Sequence, residues 1–546
     1  MTEMFKESLL TRDVLIVGSG SAALSAALRA SVGGMSVRVF EKTSLIGGTS
    51  AMSGAGTWVP ANHYAREAGL EDSVEDAIAY LRAASPEDWQ AEEGELWTAF
   101  ARAAPQMLEF VEKHTPLRFA LSEEPDTMPE RPGGKVRGRM LSPKPLGKRI
   151  LGKFARQIRH STLPHLFTYQ EVYDGDLYHR PISTILRFGP RLVWRFLTKT
   201  RAQGSALITG LLKGCLDYGC EIETDARIVE LLTDPIGGRV IGLVSQTGGM
   251  RSSHFARRGV IIASGGFEWN AELLAEHFPG GVNFLGSPRS NEGDGQRLAA
   301  AVGAKLARMD QANIYPALPT RYEGKSHGIP LVFQAEKHAI VVDRSGKRFI
   351  SEYDFNIGEA LDRRDTVTGQ PIHLPAWVIA DRRFLRQGPP LIWYARKSPG
   401  WLIRAPSVRA LAEKIGVPAN ELTKTVDRYN RFCMLGQDLD FHRGESVWEQ
   451  FKAGGPNNAL GSIERAPFFA VPFGRSILGT KGGARTNADS QVLRPDGSVI
   501  AGLYAAGLAM ANPIGTRAVG PGTTIGPNLT WGFICAESLL KDNYGA

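Results

Sequence analysis

Short apolar runs closed by glycine-rich turns recur along this chain. DVLIV (13–17) is β-rich and runs straight into GSGSAALSAALRA, which predicts a buried strand, a tight turn and a helix of small apolar residues. VRVFE (37–41) predicts a second strand. SVEDAIAYLRA and EGELWTAFARAAPQMLEFVEK carry apolar residues three and four apart, which predicts helices between residues 70 and 115. Residues 120–165 are rich in Pro, Gly and basic residues and read as a loop-like or inserted surface segment. GSALITGLLKGCLDYG predicts a further helix. EIETDARIVELLTD and RVIGLVSQ predict strands, and RRGVIIASGGFEWN (257–270) predicts a buried strand entering a second glycine-rich turn. SPRSNEGDGQRLAAAVGAKL (287–306) sets Gly293, Asp294 and Gly295 at a helix start. Beyond about residue 307 aromatics and prolines become more frequent. DGSVIAGLYAAGLA and GPGTTIGPNLTWGFICAESL then return to strand, glycine turn and helix.

This order predicts an α/β fold. A Rossmann-like nucleotide-binding domain is built from both chain ends, 1–306 and 466–546. An α+β capping domain, 307–465, is inserted between them, and a basic insert spans about 120–201. The length of 546 residues agrees, being more than one compact core usually holds.

The first forty residues give the chemistry. Gly18-x-Gly20-x-x-Ala23 is a dinucleotide fingerprint. Gly18 permits the turn, Gly20 lets a pyrophosphate approach the backbone, and Ala23 holds helix against sheet. The helix N-terminus, with Ser21 and Ala22, faces the phosphates. Glu41, 21 residues after Gly20, is placed to accept from ribose hydroxyls, with Lys42 beside it. GGTSAMSGAG (47–56) follows, and its Gly47, Gly48, Thr49, Ser50, Ser53 and Gly54 suit a loop wrapping a pyrophosphate and reaching a flavin ring. That loop favours FAD over NAD. Ala263, Gly265, Gly266, Asp294, Gly507, Gly522, Thr523, Thr524 and Ile525 complete the expected cofactor set. The loop holds no histidine for covalent attachment, so the expected FAD is non-covalent.

Charge and cysteine content add less. The four cysteines have no metal-ligand or haem-attachment spacing, and no run is long enough to span a bilayer. The opening residues lack a secretion signal, which predicts a cytoplasmic protein. The net charge of +8 is concentrated: residues 131–201 carry sixteen Lys/Arg against three acids. Within them ISTILRFGPRLVWRFLTKT (182–200) mixes basic residues with Ile, Leu, Phe and Trp. It reads either as a solvated basic face over a packed helix or as a peripheral contact with an anionic membrane. No nucleic-acid module accompanies the charge.

Taken together, GSGSAALSAA, EKTSLIGGTSAMSGAG, PERPGGKVRGRMLSPKP, IIASGGFEWN, NEGDGQRLAAAVGA, IVVDRSGKRFISE, GTKGGARTN and DGSVIAGLYAAG…GPGTTIGPNLTWG resemble the FAD-dependent fumarate reductase and 3-ketosteroid dehydrogenase superfamily over nearly the full length. The PGG…GR…PKP stretch and the closing TIGP segment look most like the ketosteroid dehydrogenase branch. That resemblance implies desaturation beside a ring ketone. A tyrosinate takes the α-proton, the β-hydride goes to flavin N5, and a tyrosine and a backbone N–H polarise the ketone oxygen. It also implies a small lipophilic ketone substrate, a 3-ketosteroid or a smaller alicyclic ketone, and a quinone-like electron acceptor.

Three of the branch's tyrosines are replaced. Their positions fall on Thr127 and Met128, on Asn356, and on Ala518, whereas the backbone-donor glycine is kept as Gly522. Tyr353 is then the first choice for general base, with Tyr315 and His338 behind it. The main alternative is an enone or enoate reductase of fumarate reductase type. Its histidine before the final Gly-Gly falls in Gly479-Thr480-Lys481, while Arg517 stands near the position of its arginine and is expected to bind a carboxylate or ketone. A non-enzymatic flavin carrier is a third reading, opposed by the large second domain.

Overall fold

The computed structural model describes residues 11–542, so the opening MTEMFKESLL, searched above for a secretion signal, lies outside the described residues. Strand β1 (Thr11–Val17), helix α1 (Ser21–Val32) and strand β2 (Val37–Phe40) follow one another as the fingerprint requires. Ten of the twelve α1 residues are buried. The helix carries no polar face because it is packed on several sides. The helices expected between 70 and 115 are Val74–Ala84 and Gln90–His114. In the basic insert, α2 (Tyr169–Asp174) starts at a capping box in which Thr168 and Glu171 satisfy each other's backbone N–H groups. Helix α3 (Pro181–Leu197) comes next.

Strands β3 (Glu221–Glu223), β4 (Arg227–Thr233), β5 (Val240–Thr247) and β6 (Met250–Ile262) lead back into the sheet. β6 changes partners along its length. Its first half pairs antiparallel with β5, and its second half runs parallel to β1.

The capping unit is built on an antiparallel sheet of β7 (Ala339–Val342), β8 (Ala376–Asp381), β9 (Ile403–Ala405) and β10 (Phe468–Phe473), in the order β7-β8-β10-β9. β10 is an inner strand of that sheet, so a cut at residue 465 would remove part of the cap's core. Below it lies an ionic core. Arg348 contacts Glu352 at 2.9 Å and Asp438 at 2.8 Å, and Arg443 contacts Glu352 at 2.8 Å. Full mutual pairing is what allows these charges to be buried.

The chain then returns through β11 (Gln491–Leu493), β12 (Val499–Ala505) and α4 (Ile525–Lys541). The nucleotide-binding sheet runs β11-β12-β6-β1-β2-β3, with β5 and β4 branching from β6. α4 lies against α1 so closely that a methyl group on Gly532 would stand 2.1 Å from the Ala22 carbonyl oxygen. Both chain ends therefore make one domain, as the residue pattern predicts.

Candidate active site

A cleft opens where β1, β2 and β6 end, lined by Gly18, Gly20, Glu41, Thr49, Asn291 and Asp294 among others. Its glycines divide into two kinds. Gly18 has φ +103°, and a methyl group there would meet the Ala263 carbonyl oxygen at 2.4 Å, so the fold itself demands glycine. Gly20 has φ −71°, and a methyl group would meet only Ser50 Oγ, 3.7 Å away. Nothing in the protein forbids a side chain at Gly20. The space it leaves lies at the N-terminus of α1, where a phosphate is stabilised.

The cleft's polar groups fit a dinucleotide. Glu41 Oε2 accepts from Ser19 Oγ at 2.5 Å, while Oε1 accepts from Thr43 N at 3.0 Å and Oγ1 at 2.9 Å. The carboxylate is thereby fixed at the cleft wall, where it can accept from ribose hydroxyls. Lys42 reaches Glu292 at 2.9 Å and Asp294 at 2.7 Å, and Arg227 also pairs with Asp294. Burial opposes the charge on Asp294, but Lys42 and Arg227 outweigh it and hold the carboxyl below the usual carboxylate range. Ser50 Oγ accepts from Ser21 N at 3.2 Å, and Thr49 Oγ1 accepts from Asn291 Nδ2 at 3.0 Å, so the 47–56 loop is latched over the α1 terminus. Ala263, Gly265 and Gly507 line the same cleft.

Farther along that loop, Gly522 stacks on the strand Thr57–Trp58. Its carbonyl accepts from Trp58 N at 3.2 Å, and a methyl group on it would press to 2.7 Å from the backbone of Gly56, Thr57 and Trp58. Its own N–H donates to no acceptor among the described residues. Trp58 is held in turn by Asp126, which accepts from the indole N–H at 2.7 Å and pairs with Arg139 at 2.9 Å. Thr523 Oγ1 closes the turn onto the Gly520 carbonyl, and Thr524 immediately precedes α4, which begins at Ile525.

The three replaced tyrosine positions meet in space. Ala518 N donates to Asn356 Oδ1 at 2.8 Å, and the Ala518 carbonyl accepts from Asn356 Nδ2 at 3.2 Å and from Thr127 Oγ1 at 3.1 Å. A polar clasp thus stands at that convergence.

Other phenols line the space nearby. A methyl group at Gly54, in the flavin-reaching loop, would stand 3.3 Å from the Tyr169 ring. Tyr169 Oη lies 3.3 Å from Tyr173 Oη, and Tyr173 Oη accepts from Lys452 Nζ at 2.8 Å. Lys452 Nζ is 3.6 Å from Glu124. Burial and the Glu124 carboxylate raise both phenols well above the ordinary tyrosine range. Tyr173 nevertheless keeps 37% of its surface accessible, so its ring is not sealed in a core. Tyr315 and Phe355 meet edge-on at 5.7 Å beside it, and burial followed by Glu124 raises the Tyr315 phenol too.

The residues expected to do chemistry are placed unevenly. Tyr353 is buried in the cap with its ring 4.9 Å from the Arg443 guanidinium, and burial pushes its phenol up to about 12. It belongs to the cap's ionic core. His338 Nδ1 pairs with the Ser462 carbonyl at 2.7 Å, also inside the cap. Arg517 forms a two-point pair with Glu359, at 2.9 and 2.8 Å, on a separate cleft shared with Asn356 and Arg363. Sequence reasoning passed over Tyr169, Tyr173, Glu124 and Lys452. The signal available was YQEVY in the insert, whose tyrosines are four residues apart and so share a helix face.

With this geometry in hand, comparison with known proteins decides the family. The family described as the FAD binding domain matches residues 13–525. A 4-oxocyclohexanecarboxylate 2-dehydrogenase of Sinomonas cyclohexanicum is 35% identical, covering 98% of this chain and 94% of the relative. A 3-oxosteroid 1-dehydrogenase of Mycobacterium tuberculosis is 34% identical, covering 98% of each. The crystal structure of a 3-ketosteroid delta1-dehydrogenase from Sterolibacterium denitrificans, in complex with 1,4-androstadiene-3,17-dione, superposes with a TM-score of 0.87 at 30% identity, covering 97% of this chain and 99% of that one. The chain belongs to the FAD-binding family, on its 3-ketosteroid dehydrogenase branch. Its cofactor is FAD, and it is an FAD-dependent dehydrogenase.

Proposed function

We propose that this enzyme desaturates a ring ketone, introducing a C=C bond between the α and β carbons, with FAD bound non-covalently. The observation that carries this reading is an unused backbone donor, Gly522 N–H, packed against Gly56 at the end of the flavin loop whose Gly54 meets the Tyr169 ring. When bound, FAD supplies a two-electron acceptor for the β-hydride. Gly522 N–H polarises the ketone oxygen, which makes the α-proton acidic. Tyr169 and Tyr173 face that proton, and Tyr315 and Phe355 shield the ring from water.

The substrate is a lipophilic cyclic ketone, either a 3-ketosteroid or a single-ring ketone, in keeping with the named activities of the relatives. Anaerobic bleaching of the flavin by a 3-ketosteroid or by 4-oxocyclohexanecarboxylate is the expected result. An enzyme bleached by no ketone, but reoxidised from its dithionite-reduced form by fumarate, would replace this reading with ene reduction. The pairing of Arg517 with Glu359 weighs against that alternative, since it neutralises the cation needed to clamp a dicarboxylate.

The partner side of the proposal is a quinone-like acceptor and an anionic membrane surface. No helix among the described residues is long and apolar enough to cross a membrane. α3 instead turns its apolar residues outward: Ile182, Leu186, Val193, Trp194, Phe196 and Leu197 are 58–76% exposed. Thr184, Phe188 and Arg195 face inward, with Arg195 paired to Glu171. Exposed Arg180 and Arg191 flank the apolar face. A second copy would bring like charges together, whereas anionic lipid headgroups complement them.

A further inference from the structure

The desaturase reading leaves a chemical difficulty. Tyr169 and Tyr173 are held far from ionisation by burial and by Glu124, so neither stands ready as a phenolate. Three stretches of the chain converge on the same point: Glu124 from the start of the basic insert, before the PGG turn, the two tyrosines from farther along it, and Lys452 from the cap helix Val447–Ala453. The Glu124 side chain is 1% exposed and faces the Lys452 ammonium at 3.6 Å and the two phenols, yet neither carboxylate oxygen makes a hydrogen bond. A buried carboxylate paired only at that distance keeps its acceptor sites open to a proton.

We propose that Glu124 is the proton acceptor of the desaturation, reached through the Tyr169–Tyr173 pair. The inference rests on the desaturase reading. Lys452 already donates to Tyr173 Oη, so the phenol's own proton is left to point at another acceptor. As the α C–H bond breaks, its proton goes to the oxygen of Tyr169, and a phenol proton passes through Tyr173 to Glu124. Both tyrosines end neutral and Glu124 ends as a carboxylic acid. The C–H electron pair becomes the new C=C bond as the β-hydride leaves with its two electrons for FAD. A tyrosine thereby acts as a base without first becoming a phenolate. Lys452 is a positioning residue that fixes the direction of transfer. Glu124 acts through the phenols and is likewise separated from substrate by them.

The test separates proton removal from hydride transfer. The holoenzyme is reduced with dithionite, so that no desaturation can follow. Exchange of the α-hydrogens of 4-androstene-3,17-dione and of 4-oxocyclohexanecarboxylate is then followed in D2O by NMR. Wild type is expected to exchange them with whichever ketone bleaches its oxidised flavin. Glu124→Gln is expected to exchange at least about 100-fold more slowly, with flavin content and ketone affinity retained and with partial recovery in Glu124→Asp. Tyr169→Phe, which keeps the ring, provides the same readout if Glu124→Gln does not fold. Exchange by Glu124→Gln, or by Tyr169→Phe in its place, within about threefold of wild type overturns the relay. Wild type that neither exchanges nor is bleached overturns the desaturase reading itself, and the relay with it.

Discussion

Asn356 and Ala518 clasp each other by two hydrogen bonds, Ala518 N to Asn356 Oδ1 at 2.8 Å and Asn356 Nδ2 to the Ala518 carbonyl at 3.2 Å. Both stand where the ketosteroid dehydrogenase branch has tyrosines. The clasp joins the cap to the loop that carries Gly522, and Thr127 adds a third bond to the same carbonyl. In this chain that convergence is a fastening, and the nearest phenols to the flavin loop belong to the insert.

Asn356→Ala leaves the Ala518 N–H without its partner at the cap–loop junction. The expected cost is about 1–3 kcal/mol of stability, with a lower kcat because Gly522 is no longer held in place. Thermal melting of the holoenzyme and turnover with the bleaching ketone check both effects.

Gly20 and Gly18 separate cofactor binding from folding. Gly20→Val is expected to fold with a far-UV spectrum like wild type but to purify without flavin, because its side chain fills the phosphate space. Gly18→Val should not accumulate as folded protein, since even a methyl group meets the Ala263 carbonyl oxygen at 2.4 Å. Flavin absorbance per mole of protein, set beside circular dichroism, distinguishes the two.

Gly522 and Tyr353 should differ in the same assay. Gly522→Ala displaces the donor N–H at a left-handed position, φ +84°, and is expected to lower kcat about 10²- to 10³-fold. Tyr353→Phe keeps the ring over Arg443 and is expected to leave kcat within about twofold, as a buried packing residue does. A large loss in Tyr353→Phe would return that tyrosine to the catalytic list.

Lys481 makes stability depend on pH. Burial lowers its amine to about 7, and its Nζ donates to the Gly515 carbonyl at 2.6 Å. Above that pH the folded protein leaves the amine neutral, while the unfolded chain stays protonated up to about 10.4. The unfolded state then binds more protons, so stability from this group rises with pH across that window, by at most about 1.4 kcal/mol per unit. Lys481→Met lacks the effect. The Tm of wild type minus that of the variant should increase between pH 7 and pH 9.5, and a flat difference would refute it.

The outward face of α3 predicts binding to anionic vesicles. Wild type should co-sediment with phosphatidylglycerol-containing vesicles, less with pure phosphatidylcholine, and less still at high salt. Leu186→Ser with Trp194→Ser should abolish sedimentation and leave flavin content unchanged. Concentration-dependent self-association of wild type, removed by the same pair, would show instead that a second copy covers this face.

The nucleotide-binding half was legible because its requirements are local. Gly18, Gly20, Glu41 and the strand–helix–strand order are fixed by backbone geometry within a few turns of chain, and the structure places them together. The catalytic side was less so. Glu124, Tyr169, Tyr173 and Lys452 come from three distant segments, and no periodicity links residue 124 to residue 452. Tyr353 looked attractive because it follows RFISE, but that motif feeds an ionic core in the cap. Strand β10 was missed by the boundary at 465 because FFAVPF reads equally well as part of the closing segment, and only its pairing with β8 and β9 assigns it.

The partner switch along β6 bears on how the enzyme is made. Its parallel half needs β1 on one side and β12 on the other, and α1 needs α4 lying across it. Residues 11–42 leave the ribosome hundreds of residues before α4 exists, so they wait with one flank bare while the insert and the cap emerge. Cofactor loading is consequently a late event that waits for α4. During synthesis the first strand and helix are the stretch most in need of chaperone cover.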